Sequence, residues 1–427
     1  MPLKILIVGA GIAGLTAAVA LAPHGHDITI LEKSAFATEI GAAFHFGPYG
    51  VRVLRRLGVD IAAMRPVTCL RWNQTDADSL RDYGMKFDLR AKQKELGVCE
   101  DEIMVHRIDA HNVLKEHALS CSNIRLRLGT GVQEVDVESG TVTLSSGETV
   151  SGDVVVGADG IHSRCVRAID EDASRAVRMG VNMYRWMVET KRGMANPVVA
   201  EFLNRSRLPD CHTTFIHAPT RHVLIMYPCR GGDLINCSTY QAAAAELKQL
   251  PEGDYTSPGS PEEILHLMRD WPESYRALAR LATDVKHWAM IARDAPKSYH
   301  KGKLVLIGDA AHPTQPTHGA GANLGIEDAA VLSIMLSGHV ASGDVQGRLE
   351  AYHDLRYERT VVTKLGSELT KVGWLPTPET IEERVQKKVP GAKIPFDMEE
   401  YLWPVDVMAE AEDRRVQMNA TCTNGNG

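Results

Sequence analysis

Near the amino terminus, the period of the hydrophobic positions changes twice. Ile5 to Val8 is a short apolar run rich in β-branched side chains, Ile12 to Leu21 has a helix-forming composition, and Asp27 to Leu31 returns to a strand pattern. A strand, a helix and a second strand in this order predict a βαβ unit. The amino terminus therefore favours an α/β fold.

Two later segments repeat the pattern of a buried strand followed by a turn. Asp153 to Val156 is strand-like and is followed by Gly157 to Gly160, and Leu304 to Ile307 is a second such strand before Asp309. A helix is predicted to start in the glycine-containing segment at Gly319 and to run through Leu332. A strand that ends in Asp-Gly is usually only a turn, so these segments gain meaning only in combination.

The segment from residue 176 to residue 290 has a different pattern. Its runs HTTFIHAP, HVLIMYP and LINCSTY are strand-like, and Ser260, Pro261 and Glu263 mark the start of a helix. A sheet with a helix beside it is the expected arrangement. We interpret the charged segment 75–102 as a surface excursion of this region.

The carboxyl-terminal part reads as helix followed by an irregular tail. Residues 349–374 form a long helix pattern, and we interpret Tyr352, Arg356 and Arg359 as a solvated charged face. Trp403 is expected to dock the chain after residue 375, and the sequence NATCTNGNG at the end predicts disorder.

Composition narrows the class of protein. The 427 residues are 44% hydrophobic and 24% charged, which is typical of a globular chain with two or three cores. A net charge of −7 argues against nucleic acid as a partner. Eight cysteines without a C-x-x-C pair predict reduced thiols rather than a zinc site or disulfides. With neither a signal peptide nor an apolar run of about 18 residues, we expect a cytoplasmic protein without a membrane span.

The first turn carries the spacing G-x-G-x-x-G. Gly9 permits a tight turn, Gly11 allows the backbone to approach a pyrophosphate, and Gly14 allows close packing of helix on strand. Glu32 ends the second strand, where an acidic side chain accepts hydrogen bonds from an adenosine ribose. This pattern predicts a dinucleotide site but does not separate NAD from FAD.

The later segments favour a flavin. Asp309 leaves the sheet where a carboxylate can bind a ribityl hydroxyl, and the helix that starts near Gly319 and Gly321 can direct its N–H groups at a ring edge. Reduced flavin carries negative charge at that edge, which a helix amino terminus stabilises.

Four motifs together resemble those of the class A flavoprotein monooxygenases, the aromatic hydroxylases related to salicylate and 4-hydroxybenzoate hydroxylase. They are the glycine turn with Glu32, VHRIDAHNVL at Val105 to Leu114, GADGIHS at Gly157 to Ser163, and GDAAHPTQP from Gly308. The resemblance covers about residues 3–360. It implies an α/β fold with a discontinuous Rossmann-like FAD-binding domain, a β-sheet substrate domain and a C-terminal helical segment. The expected boundaries are 1–67, 101–175 and 291–362 for the FAD-binding domain, 68–100 and 176–290 for the substrate domain, and 363–427 for the helical segment with a disordered tail.

The resemblance also implies the residues that contact FAD. Glu32 would bind the ribose, Arg107 the linker region, Asp309 the ribityl or pyrophosphate part, and Ala322 with Asn323 the isoalloxazine edge. Arg107 could instead be a solvated residue at a helix start, and Asp159 could support only the fold. The full set of expected FAD contacts is Gly9, Gly11, Gly14, Glu32, Lys33, Ala43, Arg107, Asp159, Asp309, Gly321, Ala322 and Asn323.

The implied activity is monooxygenation. In the family, NAD(P)H binds transiently and reduces FAD, O2 is captured as a C4a-hydroperoxide, and the distal oxygen is delivered to an aromatic substrate. Pro316 occupies the position of a family proline beside the flavin ring, although Pro313 and Pro316 could simply keep the loop from forming a helix. We expect a phenolic small molecule from secondary metabolism as the substrate, and a monomer or a homodimer.

Three residues are candidates for activating the phenol. His45 lies in a segment that lines the flavin and substrate cavity in the family, where relatives acting on hydroxypyridines have a histidine. Arg185 and Tyr227 lie on strands that point such residues at the substrate, and an arginine can hold a phenolate. Each of the three could instead be structural. Tyr49 after Pro48, and Ala320 between two glycines, depart from the family pattern and put a simple salicylate-like substrate in doubt.

Other activities remain open from the sequence. Epoxidation of an indole or alkene in alkaloid or terpenoid biosynthesis would use the same flavin chemistry without a base. A flavin halogenase would need a W-x-W-x-I-P segment, which none of the six tryptophans provides. A flavin-binding protein without catalysis is the non-enzymatic alternative.

Overall fold

A computed structural model describes residues 2–35, 43–206, 208–220, 222–242, 256–338, 340, 342–368 and 380–424. The strands are β1 Lys4–Val8, β2 Asp27–Leu31, β3 Ala43–Phe46, β4 Val67–Thr68, β5 Arg71–Asp76, β6 Asp82–Asp88, β7 Ile103–His106, β8 Ile124–Arg127, β9 Val132–Asp136, β10 Thr141–Leu144, β11 Thr149–Ser151, β12 Val154–Gly157, β13 Val177–Glu189, β14 Cys211–His217, β15 His222–Cys229, β16 Leu234–Ala242, β17 Thr256–Pro258, β18 Thr283–Ala292, β19 His300–Lys301 and β20 Leu304–Leu306. The helices are α1 Ile12–Leu21, α2 Pro48–Arg56, α3 Leu89–Leu96, α4 Arg107–Ser120, α5 Cys165–Ile169, α6 Thr190–Ala195, α7 Pro197–Arg205, α8 Pro261–Leu267, α9 Glu273–Ala279, α10 Ala320–Met335, α11 Val345–Glu368, α12 Ile381–Lys388, α13 Met398–Leu402 and α14 Val407–Asn424.

A mainly parallel sheet combines strands from the first 31 residues, from residues 124–157 and from residues 300–306. Its order is β19, β20, β12, β1, β2, β8, with only β19 antiparallel to its neighbour among these described strands. The central strand β1 places Ile5 opposite both Ile28 and Val154. Because parallel strands are covered on both faces, they read as continuous apolar runs, as β1 and β12 do. The predicted α/β fold is confirmed.

Helix α1 packs directly on helix α10, and small residues make this approach possible. A Cβ atom on Gly308 would lie 2.9 Å from the Cβ of Ala13, and one on Gly325 would lie 3.0 Å from the same atom. Larger side chains at these two positions would force the helices apart. The first glycine turn and the segment after β20 are therefore neighbours, although about three hundred residues separate them in sequence.

A second, mostly antiparallel sheet has the order β17, β18, β13, β16, β15, β14, β5, β6 among the described strands. Tyr184 and Trp186 on β13 pack into a core with helices α7, α8 and α9. The alternating residues of the same strand, including Arg185, point to the other face. That second face also carries Tyr227 from β15 and His212 from β14, as the strand registers require.

The described part of the chain also contains two small sheets and a carboxyl-terminal segment that packs into a buried core. Strands β11, β10 and β9 form one sheet, and β3, β7 and β4 form another. Trp403, in the segment after α13, is buried in a core that also contains Tyr49 and Tyr227. None of the described helices combines the length and the apolar composition needed to cross a membrane.

Two expectations about the carboxyl-terminal part are wrong. Helix α14 continues to Asn424, so the disorder predicted from Asn419 does not hold that far, and residues 425–427 lie outside the described residues. Tyr352, Arg356 and Arg359 do not form a solvated face, because Tyr352 is fully buried and the two arginines are 0% and 8% exposed. Carboxylates of α10 face them across the helix pair, and these pairings make burial of the two guanidinium groups possible.

Candidate active site

The first glycine turn has the stereochemistry that a phosphate site needs. Gly9 has a φ of +104°, and a Cβ there would lie 2.5 Å from the carbonyl oxygen of Ala158. A Cβ on Gly14 would overlap the carbonyl oxygen of Gly9, whereas one on Gly11 would meet no protein atom within 4 Å. The first turn of α1 contains no acidic residue and no side-chain cap. An anion can therefore approach the helix N–H groups over Gly11.

Glu32 is tied to this turn by two backbone hydrogen bonds. Its carboxylate accepts from Ala10 N and from Ser34 N, each at 2.8 Å. The side chain is only partly buried, and the neighbouring Lys33 is exposed. Glu32 thus lies at the carboxyl end of β2, beside the glycine turn, and backbone N–H groups fix the position of its carboxylate.

Asp309 follows β20, and its side chain is exposed at the carboxyl end of that strand. Although the residue has exposed surface, protein atoms around the carboxyl partly desolvate it and raise its pKa, and His312, Arg107 and Arg293 oppose that rise. Arg107 is itself exposed, at the first position of α4. The two predicted residues are therefore close enough to interact electrostatically.

Arg293 is a residue that the sequence analysis missed. It is 1% exposed and donates to Asp309 O and Ala310 O, each at 2.6 Å, and to Ile161 O at 3.2 Å. It therefore joins the turn after β20 to the turn after β12. In that second turn Asp159 accepts hydrogen bonds from the Ser163 hydroxyl and from backbone N–H groups at the start of α5, which is a structural role.

Helix α10 starts at Ala320, after Gly319 with a φ of +61°, and its first turn contains no acidic residue. A Cβ on Gly321 would lie 2.6 Å from Thr314 Oγ1. The Asn323 amide donates to His45 O and Gly319 O and accepts from Gly47 N. Its side chain therefore joins α10 to the segment after β3, so a cofactor would meet the backbone of this turn, at which Ala322 is partly exposed.

Pro316 is exposed in the segment that leads into α10. Both of its neighbours are anchored to the end of α11: Gln315 N donates to Ser367 Oγ at 2.9 Å, and Thr317 Oγ1 donates to Ser367 O at 2.8 Å. The position of Pro316 is thus set by these two hydrogen bonds.

A buried cluster, which we call the His45 cluster, consists of His45, Trp72, Glu102 and His212. His45 Nδ1 lies 2.6 Å from Glu102 Oε1, and Trp72 Nε1 donates to the same oxygen at 2.9 Å. His45 Nε2 lies 3.1 Å from His212 Nδ1. Both ring nitrogens of His45 are therefore used within the cluster.

The cluster forms because two strand pairs meet there, β3 with β7 and β14 with β5. His45 on β3 is opposite Met104 on β7, which brings Glu102, two residues earlier, alongside His45. His212 on β14 is directly opposite Trp72 on β5. The expectation that segment 75–102 is a surface excursion is thus wrong for Glu102, which is 2% exposed.

Burial shapes the chemistry of this cluster. Desolvation, together with the nearby charge of His45, lowers the pKa of His212 well below its ordinary value. The thiol of Cys69 lies within 4.8 Å of the ligand atoms of His45 and Glu102, a composition found in metal sites. Burial raises the pKa of that thiol well above its usual range, and it points at the carbonyl oxygen of Arg71 at 3.6 Å.

Tyr227 packs against the cluster but uses its hydroxyl elsewhere. The ring stacks on His212 at 5.3 Å and meets His45 edge-on at 4.6 Å. The hydroxyl donates to Ala43 O at 2.7 Å, and burial raises the pKa of the phenol. The predicted residues His45, Ala43 and Tyr227 are thus brought together.

Arg185 lies on the same sheet face as Tyr227, and its positive charge opposes the rise in the pKa of Tyr227. Its Nε atom is buried and has no hydrogen-bond partner within the described ranges. A guanidinium in this position suits an anionic oxygen on a ligand.

A small pocket is lined by His45 and Trp72 of the His45 cluster. Its lining includes Glu102, the start of α10 and residues of the segment 398–403, which sequence analysis did not connect with the site. Desolvation, followed by the influence of Asp397, raises the pKa of Glu399 in this lining to about 8.

A second buried cluster, the Arg356 cluster, consists of His312, Glu327, Asp328, Arg356 and Arg359. Arg356 Nε donates to Asp328 Oδ1 at 2.7 Å, and both arginines bind the Glu327 carboxylate at 2.8–3.0 Å. His312 Nε2 lies 2.6 Å from Asp328 Oδ2. Burial alone would raise the pKa of Asp328, but His312 and Arg356 lower it to about 2.

Comparison with known proteins gives consistent results. The family model described as "FAD binding domain" matches residues 2–364. Hispidin-3-hydroxylase of Neonothopanus nambi is 31% identical over 368 residues, which are 84% of this chain and 86% of that protein. The 3-amino-4-hydroxybenzoate 2-monooxygenase of Streptomyces cremeus is 31% identical over 363 residues, or 84% of each chain.

Among solved structures, a substrate complex of salicylate hydroxylase superposes with a TM-score of 0.73 at 23% identity. The match covers 97% of this chain and 98% of that one. At this identity the superposition supports the fold alone.

Proposed function

The chain belongs to the family of FAD-binding flavoprotein monooxygenases and is an FAD-dependent enzyme, and from this premise we propose that it hydroxylates a phenolic small molecule at the expense of NAD(P)H and O2. The named substrates of the two curated relatives, hispidin and an aminohydroxybenzoate, are both phenols, which supports this substrate class. They do not favour the epoxidation alternative. When bound, FAD supplies the reductive activation of O2.

The observation that carries the proposal is the His45 cluster beside the start of α10. The Cβ of His45 lies 3.5 Å from where a Cβ on Gly319 would be, at the amino terminus of that helix. An imidazole backed by a buried carboxylate is the arrangement that removes a proton from a phenol, and a phenolate ring is more nucleophilic. An epoxidase would have no use for a base at this place.

We propose that FAD lies between the two glycine turns. Gly9, Gly11 and Gly14 would admit the pyrophosphate, Glu32 and Lys33 would lie at the adenosine ribose, and Arg107 and Asp309 would lie along the linker and ribityl parts. The start of α10 at Gly321, Ala322 and Asn323 would present backbone N–H groups to the isoalloxazine, with Ala43 and Pro316 beside it. The open approach over Gly11 and the uncapped starts of α1 and α10 support these roles. Asp159 would act through the fold.

The phenol would lie against the sheet face that carries Arg185, His212 and Tyr227. Arg185 would hold the phenolate oxygen or a neighbouring acidic group, and Tyr227 would position the histidines through its ring. The chain residues thus bind and orient the ring and accept its proton.

The oligomeric state and the cellular compartment are also proposals. We expect a monomer or homodimer in the cytoplasm, where NAD(P)H is available. The seven described cysteines are all free, which suits a reducing compartment.

The test is product formation from three phenols named by relatives: hispidin, 3-amino-4-hydroxybenzoate and salicylate. FAD-loaded protein is incubated with each phenol, NADH or NADPH, and ¹⁸O₂. We expect at least one phenol to accelerate NAD(P)H oxidation and to gain one ¹⁸O atom by mass spectrometry. If no phenol accelerates oxidation while an indole or alkene gains an epoxide oxygen, the proposal is wrong.

A further inference from the structure

The hydrogen bonds of the His45 cluster fix where its protons lie. Glu102 carries a buried carboxylate that accepts from Trp72, so the ring of a neutral His45 donates its Nδ1 proton to it. His45 Nε2 then presents a lone pair to His212 Nδ1 at 3.1 Å. A hydrogen bond between two ring nitrogens needs one donor, so His212 carries its proton on Nδ1 and its lone pair on Nε2.

This arrangement excludes a direct contact between a substrate and the nitrogens of His45. Both nitrogens are used, and the ring is enclosed by Trp72, His212 and Tyr227 with ring centroids 4.6–6.3 Å away. His45 and Glu102 are 8% and 2% exposed, whereas His212 is more exposed than either. His212 is therefore the end of the cluster that a ligand on the sheet face can reach.

We propose that His212 is the catalytic residue that takes the phenol proton, and that it acts as one end of a two-histidine relay whose proton comes to rest on His45. His212 Nε2 accepts the proton of the substrate O–H while His212 Nδ1 passes its own proton to His45 Nε2. The products are a phenolate, a neutral His212 and an imidazolium at His45. This assignment deepens the proposed function and rests on it for the identity of the proton donor.

Glu102 is the positioning residue of the relay. Its carboxylate at 2.6 Å compensates the positive charge that appears on His45 and selects the Nδ1–H form of that ring. Burial disfavours a charge on His212, which agrees with a group that transmits a proton without keeping it. Tyr227 and Trp72 hold the His212 ring from two sides, at 5.3 and 5.7 Å.

A small pocket borders the His45 end of the relay. Its lining includes both His45 and Glu102, together with Trp72 and the start of α10. Glu399, whose pKa burial raises to about 8, lines the same pocket. The ionisable groups that face the relay from the surrounding elements are Tyr49, Cys69, Glu102, Arg185, Tyr227, His318 and Glu399.

The first experiment needs no substrate. Nitrogen-15 NMR of ring-labelled histidine in the FAD-loaded protein reports the tautomer of each ring, with signals assigned through His45→Asn and His212→Asn. We expect Nδ1–H forms for both rings. In Glu102→Leu, which removes the acceptor, the Nδ1–H preference of His45 should be lost. An Nε2–H form at either ring of the wild type would overturn the relay.

The second experiment uses 4-nitrophenol, whose phenolate is coloured, as a bound probe. The pH at which the bound probe ionises should rise in His212→Asn and Glu102→Gln, and turnover of an accepted phenol should fall about 100-fold in kcat with little change in KM. His217→Asn is the matched control, since His217 lies on the opposite face of the same strand.

The outcomes separate the two proposals. Unchanged probe ionisation and kcat in both variants, with product still formed by the wild type, would refute the relay alone. Absence of any hydroxylated product from the wild type would refute the proposed function, while the tautomers would still decide the proton positions. Urea unfolding of each variant beside His217→Asn identifies a loss that comes from misfolding.

Discussion

The Arg356 cluster and the His45 cluster contact successive turns of the same helix, α10, and they differ in charge balance. Glu327 and Asp328 of α10 face two arginines and His312, so the negative charges have positive partners at hydrogen-bond distance. One turn earlier, Asn323 ties α10 to His45, where a single carboxylate faces a histidine pair. A balanced cluster has no reason to change protonation near neutral pH, whereas a carboxylate beside neutral imidazoles can compensate an arriving proton.

This difference assigns the two clusters different tasks. The Arg356 cluster holds α10 against α11, and Arg359 also donates to the carbonyls of Tyr401 and Leu402. It therefore fixes the start of α10, where we propose the isoalloxazine lies, and the segment that closes the pocket. The His45 cluster carries the proton chemistry in front of that helix.

The largest effect is expected when the Arg356 cluster is broken. Arg356→Leu leaves Glu327 and Asp328 buried without their central partner, which should lower the free energy of unfolding by about 3–5 kcal/mol. Urea unfolding of the cofactor-free protein measures this change. Arg414→Leu is the control, because Arg414 is exposed and pairs with Asp354 at 3.5 Å, and its loss should cost less than about 1 kcal/mol. Equal losses in the two variants would contradict the scaffold role.

As the pH is lowered, the His45 cluster should lose its contribution to stability first and the Arg356 cluster at lower pH. The folded pKa of His212 is depressed, so the unfolded chain binds its proton more readily, and stability falls as the pH drops below the ordinary value of 6.5. The folded pKa of Asp328 is also depressed, from 3.8 to about 2. Its contribution of about 2 kcal/mol is present above pH 3.8 and is lost as the pH falls through 2.

Urea unfolding midpoints measured between pH 8 and pH 2 test this order. His212→Asn should flatten the curve on the neutral side, and Asp328→Asn should flatten it on the acid side. A single transition that neither variant alters would mean that the clusters do not differ in the way described.

The smallest effect is expected at Tyr227. Tyr227→Phe keeps the ring that stacks on His212 and removes only the hydrogen bond to Ala43 O, so the free energy of unfolding should fall by about 1 kcal/mol. We expect kcat to stay within about tenfold of the wild type. A loss of kcat as large as that of His212→Asn would make the Tyr227 hydroxyl, rather than the ring, the important group.

Sequence patterns identified the parts of the fold that stereochemistry dictates. The glycine turn was predictable because Gly9 needs a positive φ and Gly14 has no space for a side chain. The apolar strands β1, β2 and β12 were predictable because parallel strands are buried on both faces. Strand β20 ends at Leu306, one residue before the predicted end.

The buried charges were not predictable in the same way. Arg356 looks solvated because its partners on α10 lie 28 and 29 residues away, and helical periodicity contains no information about them. Glu102 stands in a charged stretch, and its burial follows from the pairing of β3 with β7. His212 was recognised as part of a strand, but its contacts with His45 and Trp72 depend on which strands become neighbours.

We propose that FAD lies over the first glycine turn, and the substitution Gly11→Val tests this position most directly. The added side chain would start in a place without protein atoms, so the cofactor-free protein should unfold at the same urea concentration as the wild type. FAD titration, followed by flavin fluorescence, should show affinity about 100-fold weaker because the pyrophosphate can no longer approach the backbone. An unchanged FAD affinity with unchanged stability would contradict the account.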